Sequence, residues 1–237
     1  MNRVERAIIM AAGLGNRMQP VTLNTPKPLI KVNGTRMIDT IVDALLQNGI
    51  REIYVVAGYK KEQFHEWAKL HPEVKVLENP YYDTCNNISS LYAAKDHLEN
   101  VIILDGDQIV YNKDILSPDF ERSGYNAVQI DSETDEWVMQ INKDGIVTSC
   151  SRNGGNSGWQ LYSISRWSKE DGKKLRKYLE IEFNEKNNRQ IYWDDIAMFC
   201  HFEDFELGVY PMKKGDICEI DSFSELIEID SSYRNYK

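Results

Sequence analysis

Short apolar runs recur along the first half of the chain, each ending near a glycine, a proline or an acidic turn. Ala7–Ala11, Glu52–Ala57, Val74–Leu77 and Val101–Leu104 have the length and composition of strands buried on both faces. Between them the spacing changes to that of a helix. Apolar residues at 37, 38, 41, 42, 45 and 46 form one stripe over Met37–Asn48, and Gly49 closes it. Further helices are predicted over Lys61–Leu70 and from about Asn87 to Leu98. Strands alternating with helices imply a parallel, doubly wound sheet, with ligands at the carboxyl ends of its strands.

The second half reads differently. Ala127–Ile130, Glu136–Ile141 and Ile146–Ser149 predict short strands, the last two joined by a Lys143-Asp144-Gly145 hairpin turn. Gly158–Ile164 predicts another strand, and Ser168 caps a helix running to about Glu185. A final strand pair near Leu207–Tyr210 and Ile217–Ile220 precedes a helix at Ser222–Ile229. No linker, repeat or low-complexity tract divides the 237 residues, and a 42% hydrophobic content suffices for one sizeable core. The expectation is a single domain over 1–237, with a first half of about 1–125 and a lobe of about 126–237 packed on it.

Charge and cysteines narrow the function. A net charge of −9 leaves no basic block for nucleic acid, and any phosphate must be met by a local cationic pocket. Cys85, Cys150, Cys200 and Cys218 lie far apart without a CxxC pair, which suggests reduced thiols rather than a zinc site or disulfides. The first apolar run is too short to span a membrane and no cleavage-site pattern follows it, so a cytoplasmic protein without membrane insertion is expected. His65, His71, His97 and His201 are scattered, and no nucleophile–base pair stands out.

The first strand empties into Gly13-Leu14-Gly15-Asn16-Arg17, and ten residues on comes Thr25-Pro26-Lys27-Pro28-Leu29. Glycines let backbone N–H groups approach phosphate oxygens, while Arg17 and Lys27 supply positive charge. The loop is not a Walker loop, because Gly15 is followed by Asn16 and Arg17 rather than Lys and Ser/Thr. Nor is it the dinucleotide fingerprint, because Met18 stands where a third small residue belongs and Pro20, Pro26 and Pro28 forbid a regular helix. A long loop around a nucleoside triphosphate is predicted, with Ala11, Ala12, Gly13, Leu14, Gly15, Asn16, Arg17 and Lys27 as its binding residues. Asp105-Gly106-Asp107 follows the strand Val101–Leu104, and Asp221 follows Ile217–Ile220. Two carboxylates from distant parts of the chain suit Mg²⁺ shared with substrate phosphates, although Asp-Gly-Asp is also a common turn and Asp221 could merely cap the last helix.

A dense cluster at Tyr192-Trp193-Asp194-Asp195, with a smaller one at Glu136-Trp137, combines ring faces with carboxylates. That combination suits a quaternary ammonium, which cannot donate hydrogen bonds and is held by ring faces and nearby carboxylates, each cation–π contact being worth roughly 0.5–2 kcal/mol, though a lone Tyr-Trp pair is also an ordinary core feature.

The motif residues Gly13, Gly15, Arg17, Pro20, Thr22, Pro26, Lys27 and Leu29 resemble the G-x-G-x-R, P-x-T, P-K-x-L signature of the nucleotidyltransferases that activate sugar phosphates and related phosphorylated alcohols. Asn86-Asn87-Ile88-Ser89-Ser90-Leu91-Tyr92, Asp135-Glu136-Trp137, Tyr192-Trp193-Asp194 and Ile217–Asp221 resemble one branch, the bacterial CTP:phosphocholine cytidylyltransferases, end to end. The resemblance implies the nucleotide-diphospho-sugar transferase-like fold, a Rossmann-like mixed sheet flanked by helices. It implies catalytic roles for Lys27, Arg17 and Asp107 and a Mg²⁺ ion held by Asp107 and Asp221, the latter within Glu219-Ile220-Asp221. Asn87 and Ser90, with neighbouring Asn86, would hold the nucleotide, with Asp105 assisting nearby. Trp137, Tyr192, Trp193 and Asp194 would hold the acceptor's amine. The expected reaction joins CMP from CTP to phosphocholine. Phosphoethanolamine, 2-aminoethylphosphonate or a sugar 1-phosphate (with UTP or dTTP) stands as the alternative acceptor, and a nucleotide-sensing regulatory subunit is the non-enzymatic reading. The chain departs from the branch at Asp105-Gly106-Asp107-Gln108, where Asp-Ala-Asp-Asn is usual. The polar, glycine-rich stretch Arg152–Gln160 has no clear counterpart.

Overall fold

A computed structural model describes residues 1–236. Its principal elements, in chain order, are β1 (Arg6–Ala11), α1 (Met37–Gln47), β2 (Glu52–Ala57), α2 (Lys61–Ala68), β3 (Val74–Glu78), α3 (Ile88–Ala93), β4 (Val101–Asp105) and β5 (Gln108–Val110) in the first half. Then follow β6 (Gly124–Ile130), β7 (Val138–Ile141), β8 (Val147–Ser151), β9 (Gly158–Trp167), α4 (Lys169–Glu180), β10 (Gly208–Met212), β11 (Ile217–Glu219) and α5 (Phe223–Ile229). Among the described residues, no helix is long and apolar enough to cross a membrane.

Nine strands form one mixed sheet. Its path runs β8-β7-β9-β4-β1-β2-β3, with β6 on the other side of β9 and β10 beyond it. The strands β4, β1, β2 and β3 are parallel, as their uninterrupted apolar runs require, and helices cover both faces. The two-residue alternation of a strand sends Ile9, Val55 and Leu104 toward Ile38, Ile41 and Leu45 of α1, and Ile8, Val56 and Ile103 toward Leu91 of α3 and Leu175 of α4. Both layers are built from buried apolar side chains, and the sheet between them is the scaffold of the site.

β9 is where the halves join. It runs antiparallel to β4 through Ile164–Trp167 and antiparallel to β7 through Trp159 and Gln160. On that edge, residues between the two pairings are left without a strand partner, and Leu161 and Ser163 face an open cleft there. One expectation changes. The last two strands do not pair with each other: β10 lies parallel to β6, whereas β11 pairs with β5 in a separate two-stranded ribbon. Two predicted helices are also shorter. The one from Asn87 stops at Ala93 before a 3₁₀ turn at Lys95–His97, and the one capped by Ser168 passes at Ile181 into a π-helical turn.

Candidate active site

The glycine-rich loop leaves β1 and proceeds through three 3₁₀ turns, Asn16–Met18, Val21–Leu23 and Lys27–Leu29, as its prolines dictate. Gly15 adopts φ +64°, and a Cβ there would lie 2.9 Å from Thr22 Cγ2. Thr22 in turn donates to Gly15 O at 2.9 Å, closing the loop on itself. Beneath, Met18, Val21 and Ile30 pack on Ile109, Ile220 and Leu226 in a small apolar cluster. This cluster draws the β5–β11 ribbon and α5 under the loop, and so brings Asp107 and Asp221 to Lys27 across 80 and 194 residues of sequence.

Lys27 Nζ donates to Asp107 Oδ2 at 2.6 Å and to Asp221 Oδ1 at 2.9 Å, and Arg17 Nη2 donates to Asp221 Oδ1 at 3.0 Å. Burial alone would lower the ammonium pKa; the charges and hydrogen bonds of Asp107 and Asp221 outweigh it and hold the pKa above its ordinary value. Asp221 is not the cap of α5. Ser222 caps it, in a capping box with Glu225 whose carboxylate also accepts from the Asp221 N–H at 2.6 Å, so the Asp221 carboxylate is free to face the loop.

Carboxylate oxygens of Asp107, Glu219 and Asp221 lie within 4.8 Å of one another. Asp107 Oδ1 is buried and accepts no hydrogen bond from the described residues. A trio of hard oxygen donors with one buried lone pair unused fits a divalent cation that also takes phosphate oxygens. Glu219 was not among the expected metal ligands. Its signal is the Glu-x-Asp spacing itself, because residues two apart along a strand share a face. Glu219 is exposed, yet the protein packed around it and then the charges of Asp107, Asp105 and Asp221 push its carboxyl pKa well up.

Three hollows converge on this centre. One of about 300 Å³ is lined by Gly13, Gly15, Asn16, Arg17, Lys27, Asp107 and Asp221, with Ala11 at its wall. A second, of about 150 Å³, lies between Ala12, Gly13, Asn79, Asn86, Asn87 and Ser90. The third, of about 350 Å³, opens from Arg17, Asp107 and Asp221 toward Glu136, Trp137, Ser163, Tyr192 and Asp194, with Asp105 and Glu219 in its lining. A larger hollow of about 650 Å³ behind the loop, walled by Trp67, Leu70 and Tyr233, carries none of the expected site residues.

Three expected residues sit elsewhere. Trp193 is fully buried and stacks on Tyr125, with ring centroids 6.1 Å apart, so its face is unavailable to the third hollow. Neighbouring residues of a tight turn point opposite ways, and here Tyr192 took the cleft and Trp193 the core. Asp105 lines the third hollow rather than either of the first two; burial first, then Asp107 and Asp194, raises its pKa well above the carboxylate range. Leu14 is at the exposed tip of the loop and lines none of these three hollows. The cleft's remaining rings, Trp137 and Tyr192, meet edge to face at 5.8 Å. Its deepest acid, Asp194, is almost wholly buried, which raises its pKa to about 8, the charge of Asp195 adding to the effect.

The expected nucleotidyltransferase framework is met in known proteins. Residues 7–145 match the MobA-like NTP transferase domain. The chain belongs to this family. It is 38% identical, over 96% of its length and 92% of the other's, to a 2-aminoethylphosphonate cytidylyltransferase of Lancefieldella rimae. It is 30% identical to the choline-phosphate cytidylyltransferase of Streptococcus pneumoniae, over 97% and 99% of the two chains. A solved CTP:phosphocholine cytidylyltransferase from Streptococcus pneumoniae superposes with a TM-score of 0.89 at 29% identity, covering 98% of this chain and 100% of that one. The inositol-1-phosphate CTP transferase of T. maritima, at 16% identity and a TM-score of 0.76 over 99% and 98%, shares the fold. The chain is therefore an enzyme of the nucleotidyltransferase type, with cytidylyltransferase activity.

Proposed function

We propose that this transferase joins CMP from CTP to a small phosphonate or phosphate bearing a primary ammonium, with 2-aminoethylphosphonate preferred. The observation that carries the reading is the composition of the acceptor cleft. With Trp193 in the core, two rings remain, against the carboxyl groups of Glu136, Asp194 and Asp105 and the Ser163 hydroxyl. A quaternary ammonium is held by ring faces, whereas a primary ammonium has three N–H donors to satisfy. This cleft is richer in acceptors than in rings. The 38% identity to a 2-aminoethylphosphonate enzyme points the same way. Phosphocholine is the second reading, favoured by the Trp137–Tyr192 edge-to-face pair and by the choline-phosphate relatives.

In this reading the triphosphate lies over Gly13 and Gly15, with Arg17 and Lys27 beside the α- and β-phosphates. The Asn87 Nδ2 group and the Ser90 hydroxyl offer donors to a cytosine edge, in a hollow suited to a single-ring base whose wall is stiffened by the internally bonded amides of Asn79 and Asn86. Asp107, Glu219 and Asp221 would hold the metal, which when bound supplies positive charge against the phosphates. The acceptor's phosphonate oxygen, already ionised near neutral pH, attacks the α-phosphorus in line, forming the new P–O bond as the bond to pyrophosphate breaks. No general base is called for, and catalysis is positioning plus charge neutralisation. Lys27 moves from its two acids to the phosphates as they arrive.

The deciding test is pyrophosphate release from CTP, UTP, ATP and GTP, each paired with 2-aminoethylphosphonate, phosphoethanolamine, phosphocholine and glucose 1-phosphate. CTP with 2-aminoethylphosphonate should give the highest kcat/KM. A higher value for phosphocholine selects the second reading, and release with the sugar phosphate alone overturns both.

A further inference from the structure

The segment 189–194 has neither regular helix nor strand, yet it forms the wall that carries Tyr192 and Asp194 into the acceptor cleft. Its fastening is unusual in coming from the opposite substrate hollow. The Asn86 N–H donates to Arg189 O at 2.9 Å and Asn86 Nδ2 donates to Gln190 O at 3.1 Å. The Trp193 N–H donates to Asn87 Oδ1 at 2.9 Å. Asn87 lines both the small hollow assigned to the base and the acceptor cleft. Its own N–H is tied to Asn86 Oδ1 at 2.7 Å, so the pair behaves as one unit at the start of α3.

We propose that Asn87 is a positioning residue that couples the two substrate sites, the nucleotide tightening the grip on the amine acceptor. The inference rests on the functional reading above and extends it. A base seated against the Asn86–Asn87 pair restricts the Asn87 side chain to the rotamer that accepts the Trp193 N–H. The acceptor turn is then ordered before its ligand arrives, and the acceptor no longer bears that ordering entropy on binding. Linkage makes the effect reciprocal: the acceptor must tighten the nucleotide by the same factor. The chemical consequence is useful, because an enzyme that closes its amine site only over a bound nucleotide commits the acceptor to the competent complex.

The experiment is a thermodynamic cycle by titration calorimetry in magnesium-containing buffer. 2-Aminoethylphosphonate is titrated into the free enzyme and into enzyme saturated with a CTP analogue carrying a methylene bridge between its α- and β-phosphates. The wild type should bind the acceptor about tenfold more tightly with the analogue present, within the usual range for coupled sites. Asn87→Leu, which fills the volume but removes the acceptor oxygen, should bring that factor close to one. Asn87→Asp, whose carboxylate still accepts the Trp193 N–H, should restore most of it. A structural role alone would move the separate affinities and leave their ratio unchanged. Equal acceptor affinity with and without nucleotide in the wild type overturns the inference, and so does undiminished coupling in a folded Asn87→Leu enzyme. Where the Leu variant fails to fold, Asn87→Ser, whose shorter side chain falls short of the Trp193 N–H, takes its place with the same expected loss of coupling. Failure of the functional reading looks different: neither 2-aminoethylphosphonate nor phosphocholine then binds in either state.

Discussion

Lys27 shows how much one residue can be asked to do in this site. It is nearly buried, its charge is balanced by two carboxylates from distant elements, and it stands between the triphosphate hollow and the acids assigned to the metal. Lys27→Ala should lower kcat by about 10²–10³-fold or more, the scale for losing one preorganised charge at the reacting phosphate. It should also lower Tm, because Asp107 and Asp221 lose the partner that compensates their burial; a rate within twofold of wild type would remove Lys27 from the chemistry. Asp194 makes the converse case. Its carboxyl binds a proton more tightly in the folded chain, at about 8, than in an unfolded one near 3.8. The folded state therefore holds the extra proton between those values, and stability falls as pH rises through that window. Asp194→Asn should match the wild type in Tm near pH 4 and exceed it by several degrees at pH 9, as thermal denaturation at the two pH values will show, while weakening the amine acceptor. Residues of this kind were legible where spacing carried them. Gly13, Gly15, Arg17 and Lys27 are fixed by a loop that prolines keep out of a helix. Trp193 was not, because sequence records that a turn contains two rings but not which of them faces inward.

At the scale of elements, the parallel half of the sheet could be read from its apolar runs because each strand is buried on both faces. The last two strands could not be partnered correctly, since pairing between β10 and β6 spans some eighty residues and leaves no local mark. The stretch Arg152–Gln160 was opaque for a related reason: its meaning lies in what it touches. Arg152 Nη2 donates to the buried Asp195 Oδ1 at 2.6 Å, and its guanidinium lies 3.7 Å from the Phe199 ring centroid and 5.7 Å from that of Trp137. Asp195 Oδ2 accepts the Tyr192 N–H at 2.9 Å. The loop after β8 thus pins the acceptor turn at Tyr192 through Asp195, while Asn87 holds it at Trp193. Arg152 is half exposed, so solvent screens much of the pair, and Arg152→Ala should raise the acceptor KM by roughly fivefold, about 1 kcal/mol. The KM for CTP should stay unchanged. An equal rise in both constants would mean that the loop supports the whole site rather than one wall of it.

Taken whole, the molecule concentrates repulsion where it works. A chain of net charge −9 places Asp105, Asp107, Glu219 and Asp221 around a single cleft, with Lys27 and Arg17 as the cations against them. Such an arrangement is poorly balanced without ligands, and it predicts how stability should respond to them. A divalent cation that joins Asp107, Glu219 and Asp221 only in the folded state stabilises that state by mass action, about 2.7 kcal/mol at a hundredfold excess over its dissociation constant. For a chain of this length, each kcal/mol moves Tm by about 2–4 °C. Triphosphate should add to the effect, because it draws Lys27 off Asp107 and Asp221 and offers the ion further oxygens. Magnesium with CTP should therefore raise Tm by more than the sum of the two separate shifts, and chelation should reverse the gain. Glu219→Gln removes one member of the trio while relieving its like-charge crowding. That variant should melt at or above the wild-type temperature without ligands, yet show little of the joint magnesium–CTP shift and little turnover. If it kept the full shift, Glu219 would be a bystander, and the ion would have to be held by Asp107 and Asp221 with the phosphates alone.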